Sequence, residues 1–347
     1  MRKLIFRNHQ SPGDILMLTA AVRDLQISSP GRFAVDVRTS CGPLWEHNPH
    51  LTKLPDEDGG VEQIDCCYPM VHRSNQQPFH FIHAFHEFIG EQLGVRFHPT
   101  AFKGDIHLAA DEKRWISQVQ EITREPVPFW IIVAGGKKDY TAKWWDHDRY
   151  QAVVDHFRGR ILFVQTGEAR HVHRPLRGAI NLLGKTNLRQ FVRLMYHAQG
   201  VLAPVTFAMH LAAAVETRPG QAKLRPCVVV AGGREPVHWE AYPGHQFIHT
   251  IGALPCCAGG GCWKARAVPL GDGDEKDQSL CVRPIGHLPQ CMDMIPAAEV
   301  IRRISMYFEG GAARYLTPAE SKSAHDAILR TAFGGGDQPL GISPQLN

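Results

Sequence analysis

The fold turns on the stretch EPVPFWIIVAGGKKDYTAKWWDHDRYQAVVDHF, residues 125–157. Two prolines, Pro126 and Pro128, cannot continue a helix, so a boundary is expected there. The apolar run at 129–134 is short and rich in aromatic and β-branched residues, as a strand buried on both faces requires. It ends in Gly135-Gly136, three lysines follow, and Asp146 stands just before RYQAVVDHF as a helix N-cap. Working forward, the buried runs at 161–166, 201–205 and 226–233 repeat the strand, with helical patterns between them. In NLRQFVRLMYHA, Leu188, Phe191, Val192 and Met195 share one helical face.

Working backward, KLIF (3–6) and FAVDV (33–37) read as strands. Between them Ile15, Leu18, Val22 and Leu25 recur at spacings of three and four, which predicts a helix. A further helix is expected around 81–94, in a His- and Phe-rich region that otherwise has no clean period. Strands and helices alternating in two blocks predict an α/β fold of two Rossmann-like, doubly wound domains facing across a cleft. The expected units are 1–125, 126–309 with a cysteine-rich insertion at 255–292, and a segment 310–347 that ends as a mobile tail.

With 347 residues, 44% of them hydrophobic, the chain is long enough for two cores without disulfide staples. A net charge of +4, with no dense basic run, argues against nucleic acid as a partner. The opening MRKLIF is too short an apolar run for a secretory signal, and no stretch reaches membrane-spanning length. A cytoplasmic protein is expected, with peripheral attachment to the inner membrane face left open. Nine cysteines in a reducing compartment suggest thiols or metal ligands before disulfides.

Three constellations carry candidate chemistry. In SPGDILMLTAAVRDL (11–25), Gly13 permits close backbone approach at a helix start, and Asp14 fits either a capping box with Ser11 or a catalytic carboxylate. In the opening stretch, Lys143 precedes Trp144-Trp145 and could meet a phosphate at a sheet edge; a solvated lysine is the plainer reading. In APVTFAMHLAAAV (203–215), Thr206 caps a helix whose first amides form an anion site, and His210 reads equally as ligand contact or core residue.

Together these motifs resemble the family 9 glycosyltransferases, the heptosyltransferases of lipopolysaccharide assembly. Gly13-Asp14 and the helix after it are similar to the family's opening, and CGPLWEHNPHLTKL (41–54) to its Asn-Pro-His segment. TAKWW matches a Lys-x-Trp step, NLLGKTNLRQFVRLMYHA a Gly-Lys-Thr helix approach, and MHLAAAV a Met-His-Leu-Ala-Ala-Ala signature. The resemblance implies a GT-B architecture, an ADP-activated heptose or related nucleotide-sugar donor, inversion at the anomeric carbon and no catalytic metal. It implies Asp14 as general base toward an acceptor hydroxyl on lipopolysaccharide, protein or a small molecule. Gly13, Lys143, Lys185, Thr186, Thr206, Met209 and His210 become donor-site residues. One departure is Pro204-Val205-Thr206-Phe207, where many members carry Val-Asp-Ser/Thr-Gly; the acid is absent and the glycine is Phe207.

Cys257, Cys262, Cys281 and Cys291 gather four thiols around the glycines 259–261, with the charged loop 271–277 extruded between them. Four thiolates suit one tetrahedral Zn or Fe ion in a closed, structural site. Adjacent Cys256 competes with Cys257, and reduced thiols or disulfides remain open alternatives. Some heptosyltransferases acting on bacterial autotransporters are similar in carrying an iron-binding four-cysteine finger here. Two rival functions stand beside this one. A dinucleotide-dependent oxidoreductase needs a G-x-G-x-x-G turn after its first strand, which neither RNHQSPGD nor AGGKKD supplies. A degenerate GT-B module that only binds metal or a partner predicts no turnover.

Overall fold

The computed structural model describes residues 1–56, 59–68, 71–273 and 276–333. The sequence-based expectation of a mobile tail after 333, and the acidic tip of the 271–277 loop, lie outside them.

In the first half, β1 (Arg2–Asn8) lies between β2 (Phe33–Thr39) and β3 (Val61–Asp65), both parallel to it. Leu4, Ile5 and Phe6 are fully buried, as a central parallel strand covered on both faces must be. Helix α1 (Pro12–Ser28) starts where Ser11 and Asp14 form a reciprocal capping box and Pro12 supplies a preset first turn. Every residue from Ile15 to Leu25 is buried, including Arg23 and Asp24, whose charges meet in a bidentate pair at 2.8 and 2.9 Å. Helix α2 (Ile82–Leu93) packs on α1 and ends at Gly94, in the left-handed region at φ 65°. After the short α3 (Gln118–Thr123) the chain passes its prolines into the second half.

There β4 (Phe129–Ile132), β5 (Leu162–Gly167), β6 (Ile180–Leu183), β7 (Gly200–Pro204), β8 (Cys227–Gly232) and β9 (His245–His249) form one parallel sheet in the order β6-β5-β4-β7-β8-β9. Counted within the half, this is the Rossmann order 3-2-1-4-5-6. Its helices are α4 (His147–His156), α5 (Leu188–His197), α6 (Phe207–Ala214), α7 (Val237–Glu240), α8 (Gln290–Asp293) and α9 (Ala297–Glu309). A short hairpin of β10 (Pro284–Ile285) and β11 (Leu288–Pro289) lies in the cysteine-rich segment. Asp146 caps α4, its Oδ1 accepting from the amides of Asp148 and Arg149 at 2.8 and 3.0 Å.

The two sheets differ in size, three strands against six, because the first half after β3 is given to α2, α3 and loops among the described residues. One apolar cluster joins the halves through α1, α2, α5, α6 and the last helix, α10 (Pro318–Phe333). That helix returns to the first half, where Ser323 Oγ donates to the Thr123 carbonyl at 3.1 Å.

Candidate active site

In an open α/β sheet the ligand crevice opens where strand order reverses, outside the carboxyl ends of the two strands concerned. Here those strands are β4 and β7. Beyond β4, Gly135 adopts φ +119°, and a Cβ there would collide with the Val172 carbonyl. Gly136 and Val172 exchange backbone hydrogen bonds at 3.1 and 3.0 Å, so the glycine pair lets the chain after β5 close against the strand end. Beyond β7, Thr206 caps α6 with extended backbone, its hydroxyl donating to the Pro204 carbonyl at 3.3 Å. The N-terminal end of α6 gives this edge a partial positive charge.

The first half contributes the start of α1. The Ser11 amide donates to Asp14 Oδ2 at 2.9 Å, and the Tyr68 hydroxyl donates to Asp14 Oδ1. Asp14 is therefore capping residue and oriented carboxylate at once. Lys137, just past the β4 glycines, reaches across to Ser11 with Nζ 2.9 Å from Oγ. The carboxylate of one half and the ammonium of the other thus converge on one cap. The sequence reading singled out Lys143 and passed over Lys137 and Tyr68. The position of Lys137 directly after a strand-ending Gly-Gly is the signal that could have found it.

Lys143 lies deeper. Its Nζ pairs with Glu235 Oε1 at 2.8 Å and lies 5.7 Å from the Tyr140 ring centre. Arg234 also bonds Glu235 and reaches the Lys264 carbonyl at 2.6 Å. Burial alone would raise the Glu235 carboxyl, but Arg234 and Lys143 more than offset it and hold it below the ordinary range.

His210 is buried and both ring nitrogens are engaged, Nδ1 with the Tyr242 hydroxyl at 2.7 Å and Nε2 with Glu240 Oε2 at 3.2 Å. Burial raises the Glu240 carboxyl despite this histidine. A Cβ on Gly13 would lie 3.4 Å from the His210 ring, and Tyr242 donates to Met17 Sδ at 3.4 Å. Gly13 and His210 are accordingly brought together at the joint of the halves. Met209 is fully buried in the core. Lys185, exposed, and Thr186 occupy the loop after β6, the edge strand and thus two strands from the switch point.

The structure bears on the cysteine expectation in two respects. All nine cysteines are free, and Cys256, Cys257, Cys262, Cys281 and Cys291 line one cavity of 10 Å³. Among the described residues, however, no three of these sulfurs lie within 4.8 Å of one another, so the thiols share a cavity without converging on a point. The Cys257 thiol also turns toward carbonyl oxygens, 3.5 Å from Thr250 and 3.4 Å from Leu254, because its 3-10 turn buries it. Burial pushes the Cys291 thiol up to about 11, with Cys262, Cys281 and Cys256 adding to the rise. Cys257 in turn acts on Cys256 and Cys262, so both members of the adjacent pair belong to the interacting set. The donor chemistry suits a soft ion, and the cavity is about the size of one small occupant.

Residues 75–219 match the family model described as Glycosyltransferase family 9 (heptosyltransferase). That range holds Lys143, Lys185, Thr186, Thr206, Met209 and His210, while Gly13, Asp14 and the cysteines fall outside it. No curated protein sequence matches the chain. Among solved structures, a glycosyl transferase family 9 protein from Veillonella parvula DSM 2008 aligns with TM-score 0.57 at 14% identity, over 89% of this chain and 98% of that one. The E. coli ADP-heptose lps heptosyltransferase II aligns with TM-score 0.53 at 15% identity, over 90% and 100%. The iron-containing dodecameric glycosyltransferase TibC from enterotoxigenic E. coli H10407 aligns with TM-score 0.57 at 19% identity, over 89% and 76%. A heptosyltransferase TibC structure in complex with ADP-D-beta-D-heptose aligns with TM-score 0.56 at 18% identity, over 89% and 76%. At these identities the likeness is one of fold, and it agrees with two parallel sheets in a GT-B arrangement. No helix among the described residues is long and apolar enough to cross a membrane.

Proposed function

We propose that this chain is an inverting glycosyltransferase that moves a sugar, heptose in our reading, from an ADP-activated donor to an acceptor hydroxyl, without a catalytic metal. The observation that carries this reading is the meeting of Asp14 and Lys137 on one helix cap, at the mouth of the β4–β7 crevice. A nucleotide-sugar leaves a diphosphate anion. Lys137 and the amides of α6 stabilise charge that grows on it in the transition state. Asp14, aligned by Ser11 and Tyr68, takes the acceptor proton from the opposite wall.

Lys143, Thr206, Met209 and His210 stay on the donor side of this reading, Lys143 through its hold on Glu235 and Met209 through packing. Gly13 leaves room for the two walls to approach, and Lys185 and Thr186 fall toward the nucleoside. With Val205 and Phe207 where an acid and a glycine are common in the family, the sugar hydroxyls need other partners. The acceptor, lipopolysaccharide, protein or small molecule, is chosen in our reading by the 70–100 region of the first half. The proposed location is cytoplasmic, with peripheral attachment at the inner membrane face compatible with it. A Zn or Fe ion, if held by Cys262, Cys281 and Cys291 with Cys257 or its neighbour Cys256, would supply structural cross-linking of the insertion. Asn75 supports that role for the insertion, since it bonds both the Gly261 carbonyl and amide at 2.9 Å.

The test is incubation of the purified protein with ADP-heptose and a panel of lipid-linked, peptide and sugar acceptors, following ADP release and product mass. ADP release coupled to a heptose mass increment on one acceptor supports the reading. Binding of donor with no turnover on any acceptor would favour the degenerate module.

A further inference from the structure

We infer that His50, Asp105 and His107 form a cysteine-free site for a divalent transition-metal cation, beside Thr19, Arg23 and Gln26 of α1. The ligand atoms of these three residues all lie within 4.8 Å of one another. His107 Nε2 is 2.7 Å from Asp105 Oδ2, and His50 Nε2 is 3.9 Å from the same oxygen. Two imidazoles and one carboxylate are a donor set for Zn, Ni, Co or Fe with positions left open to water. Metal–ligand bonds of about 2.1 Å imply ligand separations of roughly 3.4 Å, so His50 moves slightly inward and His107 opens slightly from its hydrogen bond to Asp105. The side chains are only partly exposed, 22% for His50, 13% for Asp105 and 30% for His107, so an ion would be partly screened from water.

Main-chain hydrogen bonds fix the two loops that carry the triad. The Asp105 amide donates to Thr19 Oγ1 on α1 at 2.8 Å. The His50 amide donates to Asn48 Oδ1 at 2.9 Å, and its carbonyl accepts from Gln26 at 3.2 Å. Arg23 lies 3.7 Å from Asp105 Oδ1, the oxygen that faces away from the histidines, and its strongest contacts go to Asp24. The neighbouring triad Glu46, His47 and Glu112 makes a useful contrast. There Arg189 already supplies the cation, pairing with Glu112 and, at 3.2 Å, with Glu46. Arg189 also donates to the His107 carbonyl at 2.8 Å. An ion at His50, Asp105 and His107 would therefore tie two loops of the first half at the wall where α5 of the second half docks.

Cobalt(II) titration of tag-free, full-length protein, followed by calorimetry and absorption, tests this. We expect one equivalent with ligand-field bands and no thiolate-to-cobalt charge transfer, separate from any sulfur-type signal. His50→Ala and His107→Asn should each remove that equivalent and leave a sulfur-type signal unchanged. If either fails to melt like the parent in chelator, Asp105→Asn, whose amide still meets Thr19, is read instead. Persistence of the equivalent in these variants, or cobalt uptake by the parent solely with charge transfer or not at all, would overturn the site.

Discussion

Nζ of Lys137, one residue past the glycine pair that ends β4, lies 2.9 Å from Oγ of Ser11, the N-cap of α1. A residue of the six-stranded half thereby touches the cap that holds Asp14. The contact is polar and half-buried, so it is cheap to open when a more strongly charged partner arrives.

A diphosphate is such a partner, and the two lysines of this loop should separate by experiment. Lys137→Ala is expected to weaken ADP binding by about tenfold, or 1.4 kcal/mol, with the melting temperature nearly unchanged. Lys143→Ala should instead lower stability, by about 1–3 kcal/mol, because it strips one of two cations from the buried Glu235. Calorimetry and thermal melts of both variants check the pair, and equal ADP affinities would remove Lys137 from the site.

Asp14→Asn keeps an oxygen for the Ser11 amide and should fold, since only the charge of the capping box is lost. Transfer should fall by roughly 10²–10⁴-fold while donor affinity stays within a factor of a few. Loss of affinity in step with loss of rate would reduce Asp14 to a cap.

Acid should destabilise the fold before carboxylates titrate. Burial lowers His80 and His245 to about 3 and His197 to about 4, so all three stay neutral in the folded chain near pH 5. The unfolded chain protonates them below its ordinary value of about 6.5. Stability is therefore full above that pH and falls as pH drops toward 4, by about 1.4 kcal/mol per unit for each histidine. Asp24 acts in the same direction lower down: burial would raise it, but His86, Arg23 and Thr100 hold it depressed, a contribution lost below the ordinary carboxylate range. Denaturant melts from pH 7 to 5 should slope accordingly, and a His197→Gln, His245→Gln double variant should flatten them. A parent profile already flat across that range would contradict the assignment.

The neighbouring cysteines give a paired test of the insertion. Cys256→Ser should lower the metal content of protein purified without added metal, whereas Cys257→Ser, whose thiol faces backbone carbonyls, should leave it unchanged. Elemental analysis reads this directly; the reverse pattern would make Cys257 the ligand.

What the sequence reveals depends on how local the physics is. The Ser-Pro-Gly-Asp start of α1 and the buried runs of β4, β5, β7 and β8 are written in contiguous residues, and the structure has them where periodicity places them. The strands β3, VEQID, and β9, HQFIH, border their sheets with polar or exposed positions, so no apolar run announces them. Tyr68 on Asp14 and Lys137 on Ser11 join residues 54 and 126 positions apart, and no spacing rule records such pairs. Cys256 and Cys257 sit on one 3-10 turn and both line the cavity, so spacing alone does not choose between them.

The central claim is that the β4–β7 crevice receives the diphosphate of an ADP-activated sugar. Calorimetric titration of the full-length protein with ADP, GDP, UDP and NAD tests it most directly. The account predicts preferential binding of ADP, reduced in Lys137→Ala and retained in Asp14→Asn. Preference for UDP or GDP would discard the adenine donor, and binding of none would contradict the account as a whole.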